Sequence, residues 1–217
     1  MAGSTLSRRQ FLGAAAGGVA AARAWAGVSR RAPAPMPVLF VGHGAPTAAL
    51  DDLELRRDES RGLDHGVWTP LVHLFPEADV PVLQLSLPSR LGPERLFELG
   101  RRLAGLSAEG CLVVGSGNVT HNLRAMRADG SPPEAFAAEF DGWVAEVLAE
   151  RDWDALLGAA ERAPAFGRNH PTAEHWLPLV VAAGAASVGH DAVSFPVGGF
   201  EFGNLSRRAV RFERAEG

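Results

Sequence analysis

Twice in this chain of 217 residues a short apolar run breaks into glycines and delivers a histidine. Val38-Leu39-Phe40-Val41 ends in Gly42-His43-Gly44-Ala45-Pro46, and Cys111 to Val114 ends in Gly115-Ser116-Gly117-Asn118-Val119-Thr120-His121-Asn122. An apolar run this short and bounded by turn residues reads as a buried strand, and the glycines free the backbone for a sharp turn. Each histidine is thereby expected at the carboxyl end of a strand, where the crevice of an open α/β sheet binds its ligands. The competing reading of either motif alone is a tight turn whose histidine caps the next segment.

The remaining segments alternate in the same style. Val80 to Leu87 reads as another strand, and Pro93 to Leu106 as an amphipathic helix with Leu96, Leu99, Leu103 and Leu106 on one face. Thr47 to Leu55 is expected to be a short helix, as is the apolar stretch after Leu63-Asp64-His65-Gly66, which holds His73 and stops at Pro76. Pro133 to Leu148 is expected to be helical with Phe136, Phe140, Trp143, Val144 and Val147 buried, and Trp153 to Ala160 continues it. A further helix is expected from His170 to about Ala186. Val193 to Val197, with Pro196, reads as an edge strand. The expected class is α/β, a single domain with a largely parallel central sheet flanked by helices.

Composition narrows the function. The hydrophobic fraction of 47% supports one sizeable core. The net charge of -4 and the absence of a basic surface argue against a nucleic-acid partner. The single cysteine, Cys111, leaves neither an internal disulfide nor a thiolate cluster for zinc. Any metal must be held by His, Asp or Glu.

Residues 1–26 have the layout of an export signal: a charged start, a short Ala/Gly-rich apolar middle, and small residues around Ala24-Trp25-Ala26. The middle is too short and too weakly apolar for a stable membrane span. Ser7-Arg8-Arg9-Gln10-Phe11-Leu12 resembles a twin-arginine signal, which implies transient engagement of the twin-arginine machinery and a periplasmic or extracellular destination. Residues 27–35 read as a linker, and the folded domain is expected over 36–217.

Of the seven histidines, His43, His65, His121 and His175 lie at turns bordered by Gly or Pro, or by the Pro171 to Pro178 segment. Neutral imidazoles are common ligands of Zn²⁺ and Fe²⁺, and strand-end loops can converge on one ion. Their wide spacing is equally compatible with scattered capping histidines. His73 and His190 read as packing or surface residues, Glu174 as a residue that orients a ligand or faces the helix start, and Asn118 and Asn122 as closing their turn.

Taken together, Gly42 to Pro46, Asp64-His65-Gly66-Val67-Trp68, Val82 to Ser86, Gly115 to Leu123, and Pro171-Thr172-Ala173-Glu174-His175-Trp176-Leu177-Pro178-Leu179 resemble, in order, the motifs of the class III extradiol ring-cleavage dioxygenases, in the DOPA 4,5-dioxygenase-like branch. The resemblance runs from about Met36 to the C-terminus. It implies an α/β fold, one Zn²⁺ or Fe²⁺ per chain, and a small catechol-type substrate opened with O₂. By the same resemblance His43, His121 and His175 match metal histidines, and His65 matches the acid/base or substrate-contacting one. The chain departs from the pattern in one place. Between the first two motifs the family carries a further strand and a Ser-Ala-His-Trp-like metal histidine, whereas here only residues 53 to 63 join them. The expectation is therefore an internally shortened domain. It is either a dioxygenase working with three imidazoles or an inactive relative that keeps the fold and a weak metal site. A zinc-dependent hydrolase is a third reading, with no substrate specified by the sequence.

Overall fold

The computed structural model describes residues 62–88 and 90–214 and the backbone of Val38–Gly42. The expected export signal, linker and Thr47 to Leu55 helix, and His43 itself, lie outside the described residues.

In chain order the elements are β1 (Val38–Gly42), α1 (His65–Leu74), α2 (Pro93–Ala108), β2 (Val113–Gly117), a 3₁₀ turn (Leu123–Ala125), and α3 (Ala135–Glu150). Three short helices follow: α4 (Trp153–Leu157), α5 (Ala159–Arg162) and α6 (Phe166–Asn169). The chain then runs through α7 (Leu177–Ala186), β3 (Ala192–Val197), β4 (Phe200–Glu201), β5 (Leu205–Ser206) and β6 (Ala209–Glu213). The main sheet has the order β2-β1-β6-β3.

The α/β class stands, but the described sheet is mixed rather than largely parallel. β1 and β2 are parallel, while β6 is antiparallel to both β1 and β3. A parallel return needs a crossover of a dozen or more residues, usually a helix. Between β3 and β6 the chain instead makes only the small β4-β5 ribbon and turns straight back. β3 is an edge strand, with its register shifting between Ser194 and Val197, around Pro196, whose ring nitrogen has no proton for the ladder.

Val80 to Leu87 is not a strand. Its apolar alternation is real in part, since Leu85 and Leu87 pack on the core, but Leu83 is fully exposed and Val80 and Val82 are exposed. A strand forms only where a neighbour takes its hydrogen bonds, and no described strand flanks this segment. The helix expected from His170 starts only at Leu177; residues 171–176 form turns. The stretch from Trp153 is split into two short helices at Gly158.

α7 is the centre of the core. Its sequence is apolar on every side, and all of its residues but Pro178 are buried, as expected for a helix with no solvent face. Its small residues let it approach its neighbours backbone to backbone. A Cβ on Gly184 would lie 2.1 Å from the carbonyl oxygen of Phe97, and one on Gly100 of α2 would lie 2.1 Å from that of Val181. On the sheet side, a Cβ on Gly115 of β2 would lie 2.4 Å from the carbonyl oxygen of Pro178. α3 packs against β3 and β5 and buries Phe136, Phe140, Val144 and Val147 of its expected stripe, while Trp143 is half-buried.

These contacts separate glycines that hold helices together from one that does not. Gly184→Ala must push α2 and α7 apart, and chemical denaturation is expected to show a loss of about 2 kcal/mol or more. Gly105→Ala, on the exposed face of α2 with open space around its Cβ position, is expected to gain about 0.5–1 kcal/mol by the same measurement.

Candidate metal centre

β1 and β2 run side by side to the same end of the sheet, where Gly42 pairs with Gly117. β2 then passes into Asn118 to Asn122. On the far side of the Gly115 contact, the turn before α7 carries Glu174 and His175. The peptide N–H of Asn118 donates to the carbonyl of His175 at 3.2 Å, so the two segments are hydrogen-bonded directly.

The result brings together two of the histidines singled out in the sequence. The His121 and His175 rings stack with centroids 3.4 Å apart and planes inclined by 15°. A carboxylate oxygen of Glu174 joins them, and one ligand atom from each of the three side chains lies within 4.8 Å of the others. Thr172 Oγ1 donates to Glu174 Oε1 at 2.6 Å and so orients that carboxylate. His175 is 1% exposed, and His121 and Glu174 are half-buried. Burial lowers the pKa of His121 from its ordinary value against the opposing pull of Glu174, which favours the neutral imidazole that a metal requires.

Two imidazole nitrogens and one carboxylate oxygen suit Zn²⁺ or Fe²⁺. Ligand atoms about 2.0–2.2 Å from one ion lie roughly 3–4 Å apart, so the three donors are close to that separation, and the stacked imidazoles would have to tilt out of their parallel arrangement for both lone pairs to meet on one ion. Glu174 is the residue that the sequence undervalued. Its neighbour His175 stands out as a histidine between prolines, whereas a glutamate at the start of the helix expected from His170 has an ordinary explanation; the helix begins only at Leu177, and in the preceding turns the Glu174 carboxylate lies beside the two imidazoles.

His65 opens α1. Asp64 is the N-cap, its Oδ1 accepting from the N–H of Gly66 at 3.0 Å, and the same oxygen lies 3.1 Å from His65 Nδ1. Ser116 Oγ in β2 donates to the carbonyl of Gly66 at 2.6 Å, which fastens this helix start to the strand leading to His121. The His65 side chain is 48% exposed. The structure thus places it at the helix start, beside a carboxylate. His73 and His190 stand apart from the cluster. His190 Nε2 is 3.3 Å from Ser107 Oγ in a buried corner of the core, consistent with a packing residue.

A histidine that no sequence motif singled out lies behind the site. His170 is 4% exposed and is enclosed by the rings of Phe140, Phe166 and Trp176. Its Nε2 is 2.7 Å from the carbonyl oxygen of Val119. Burial, only partly offset by that hydrogen bond, lowers its pKa to about 4.

The family model of the catalytic LigB subunit of aromatic ring-opening dioxygenase matches residues 42–202. The chain belongs to this LigB family. It is 44% identical to a 4,5-DOPA dioxygenase extradiol of Beta vulgaris over 131 residues, which are 59% of this chain and 48% of that protein. It is 38% identical to the 4,5-DOPA dioxygenase extradiol of Escherichia coli K12 over 162 residues, 70% of this chain and 57% of the relative. The chain thus spans about half the length of the curated relatives it matches. A crystal structure of an uncharacterized protein from Escherichia coli K12 superposes with a TM-score of 0.64 at 30% identity, covering 81% of this chain and 80% of that one.

The buried His170 makes stability depend on pH. Its folded-state pKa of about 4 lies below the ordinary 6.5, so as pH falls the unfolded chain takes up the proton first, and stability drops from about pH 6.5 down to about pH 4. From this group alone, denaturant titrations at pH 7.5 and pH 5 should differ by about 2 kcal/mol, and His170→Phe should remove that part of the difference.

Proposed function

We propose that this protein is a metal-dependent extradiol dioxygenase that opens the ring of a small, DOPA-like catechol with O₂. The observation that carries the reading is the meeting of His121, His175 and Glu174 at the end of the sheet towards which β1 also leads, in a chain of the LigB family. His121, His175 and Glu174 would hold one Fe²⁺ or Zn²⁺. His43, the next residue after β1, is a further donor on the sequence reading. Relatives in Beta vulgaris and Escherichia coli named 4,5-DOPA dioxygenase extradiol support the substrate class.

When bound, the divalent ion supplies Lewis acidity towards a catechol hydroxyl and, as Fe²⁺, electrons towards O₂. The chain's own residues do the rest. His175, fully buried, would give a fixed donor, and Glu174 would supply negative charge that offsets that of the cation. His65, whose Nδ1 lies beside the Asp64 carboxylate, would take the proton of the catechol hydroxyl and return it to the product, a role supported by the hydrogen bond that ties its helix start to Ser116 of β2. The ring bond broken lies next to the two hydroxyl-bearing carbons rather than between them, and both oxygen atoms enter the product.

The second reading is a family member that keeps the fold and a weak metal site without turnover. It is favoured by the chain's span of about half the length of its curated relatives and by the missing counterpart of the Ser-Ala-His-Trp histidine. Metal analysis and oxygen uptake separate the two. The first reading expects one ion per chain, loss of that ion in His121→Ala and His175→Ala, and O₂ consumption with catechols after anaerobic Fe²⁺ loading. One ion without O₂ uptake across a catechol panel selects the second reading.

We also propose export through the twin-arginine pathway, which rests on Ser7 to Leu12 and the small residues near Ala26. Expression in a bacterial host should yield a shortened protein in the periplasmic fraction. Replacing both Arg8 and Arg9 by Lys should leave the full chain in the cytoplasm; equal export of that variant would sink the proposal.

A further inference from the structure

We propose that His170 is a positioning residue for the metal centre, and that with Asn169 it clasps the loop carrying His121 so that this imidazole lies against His175. The role in metal binding rests on the proposed function; the clasp itself rests on the hydrogen bonds.

The case begins with what His170 gives up. A carbonyl oxygen can only accept, so the 2.7 Å contact with Val119 puts the proton on Nε2. A neutral ring carries one N–H, which leaves Nδ1 bare, and that atom is buried with no hydrogen-bond partner among the described residues. Phenylalanine would fill the box of Phe140, Phe166 and Trp176 without stranding a nitrogen. What histidine adds, and phenylalanine lacks, is the hydrogen bond to Val119.

That bond has a reciprocal partner one residue away. The peptide N–H of His121 donates to the carbonyl of Asn169 at 3.0 Å. Two consecutive residues therefore grip the loop at 119 and at 121, one by donating and one by accepting. Asn169 is itself fully buried and anchored, its Nδ2 donating to the carbonyls of Phe136 and Ala165 at 3.1 Å each. The gripping segment then continues through Pro171 to Glu174 and His175. The two imidazoles are thus joined by a short closed circuit: His121 to Asn169, along the chain to His175, and back through the ring stack and the Asn118 to His175 hydrogen bond. A loop held at one end only would leave the spacing of the metal donors to chance.

The test uses the full chain with three variants, Zn²⁺ alone as the probe, and two readouts: Zn²⁺ affinity by competition with a chromophoric chelator, and amide hydrogen exchange of the 118–122 peptide. His170→Phe keeps the ring packing and removes the donor. It should weaken Zn²⁺ binding about 10- to 100-fold, the usual cost of losing a residue that orients a ligand, and speed exchange of the 118–122 peptide about tenfold. Its unfolding midpoint at pH 7.5 should fall only modestly, since the ring packing is kept while the buried Val119 carbonyl loses its donor. His170→Gln, whose amide nitrogen can reach the position of Nε2, should restore most of both. Unchanged affinity and exchange in His170→Phe would overturn the proposal. So would a loss of affinity that comes with a strongly lowered midpoint and no rescue by Gln, since that is a merely structural role. His175→Ala marks the underlying reading: if it binds Zn²⁺ as tightly as the wild type, or if the wild type binds none, the metal assignment fails. In that case faster exchange in His170→Phe still upholds the clasp and unchanged exchange overturns it.

Discussion

The carbonyl oxygen of Pro178 comes within 2.4 Å of where a Cβ on residue 115 would be, and the arrangement of the candidate metal centre depends on that close approach. Because Gly115 has no side chain, the first turn of α7 lies directly on β2. The segment just before α7 carries Glu174 and His175, and the segment just after β2 carries His121, so the contact sets the distance between donors that are far apart in sequence. Gly100 and Gly184 extend the same principle to the other side of α7, where two helices touch through their backbones. Close-packed interiors transmit displacement rather than absorbing it. A centre built on such contacts is therefore positioned by the core and not by the loops alone.

Polar groups complete what packing begins. Thr120 Oγ1 donates to the carbonyl of Asn204 at 2.8 Å and accepts from the N–H of Ser206 at 2.7 Å, while Asn204 Nδ2 donates to the carbonyl of Asn122 at 2.7 Å. Ser206 in turn donates to Asp141, which also receives Arg208 through two of its nitrogens. The His121 loop is thus tied on one side to Asn169 and His170 and on the other to the β4-β5 ribbon and, through Asp141, to α3. A buried polar group left unpaired costs about 1–3 kcal/mol, so such a network tolerates few alternative arrangements. Its contribution is definition of one geometry more than bulk stability, since a buried ion pair often gives little net stabilisation.

Much of this was legible in the sequence, and the reasons for the failures are specific. α2 and α3 follow from apolar periodicity, although in α2 the buried stripe holds Leu96 and Leu99 while Leu103 is half-buried and Leu106 is exposed. β2 follows only in part: of the run Cys111 to Val114 just Val113 and Val114 join the strand, which continues through Gly115 to Gly117, the glycines expected to end it. The sheet's mixed direction did not follow, because direction depends on whether a connection crosses over or turns back, and the β4-β5 ribbon has no strong signature. Val80 to Leu87 has the composition of a strand and lacks a described partner, which no local pattern can reveal. Glu174 reads in the sequence only as a ligand-orienting or helix-start residue and His170 only as the start of a helix, until the turns of residues 171–176 show where their neighbours lie.

The sequence by itself determined the family, the two strand-glycine-histidine units, the polarity that argues against nucleic acid, and the identity of His121 and His175 as the residues to watch. These are properties of residue type and short-range order, and they survive without coordinates. Only the tertiary structure decided that the two imidazoles stack, that Glu174 joins them, that His65 is fastened to the same strand through Ser116, and that His170 holds the loop from behind. Each of those facts is a contact across tens of residues, created when α7 is buried between α2 and the sheet. Burial of that helix is a cooperative property of the whole core, so its consequences for individual side chains cannot be read from any one segment.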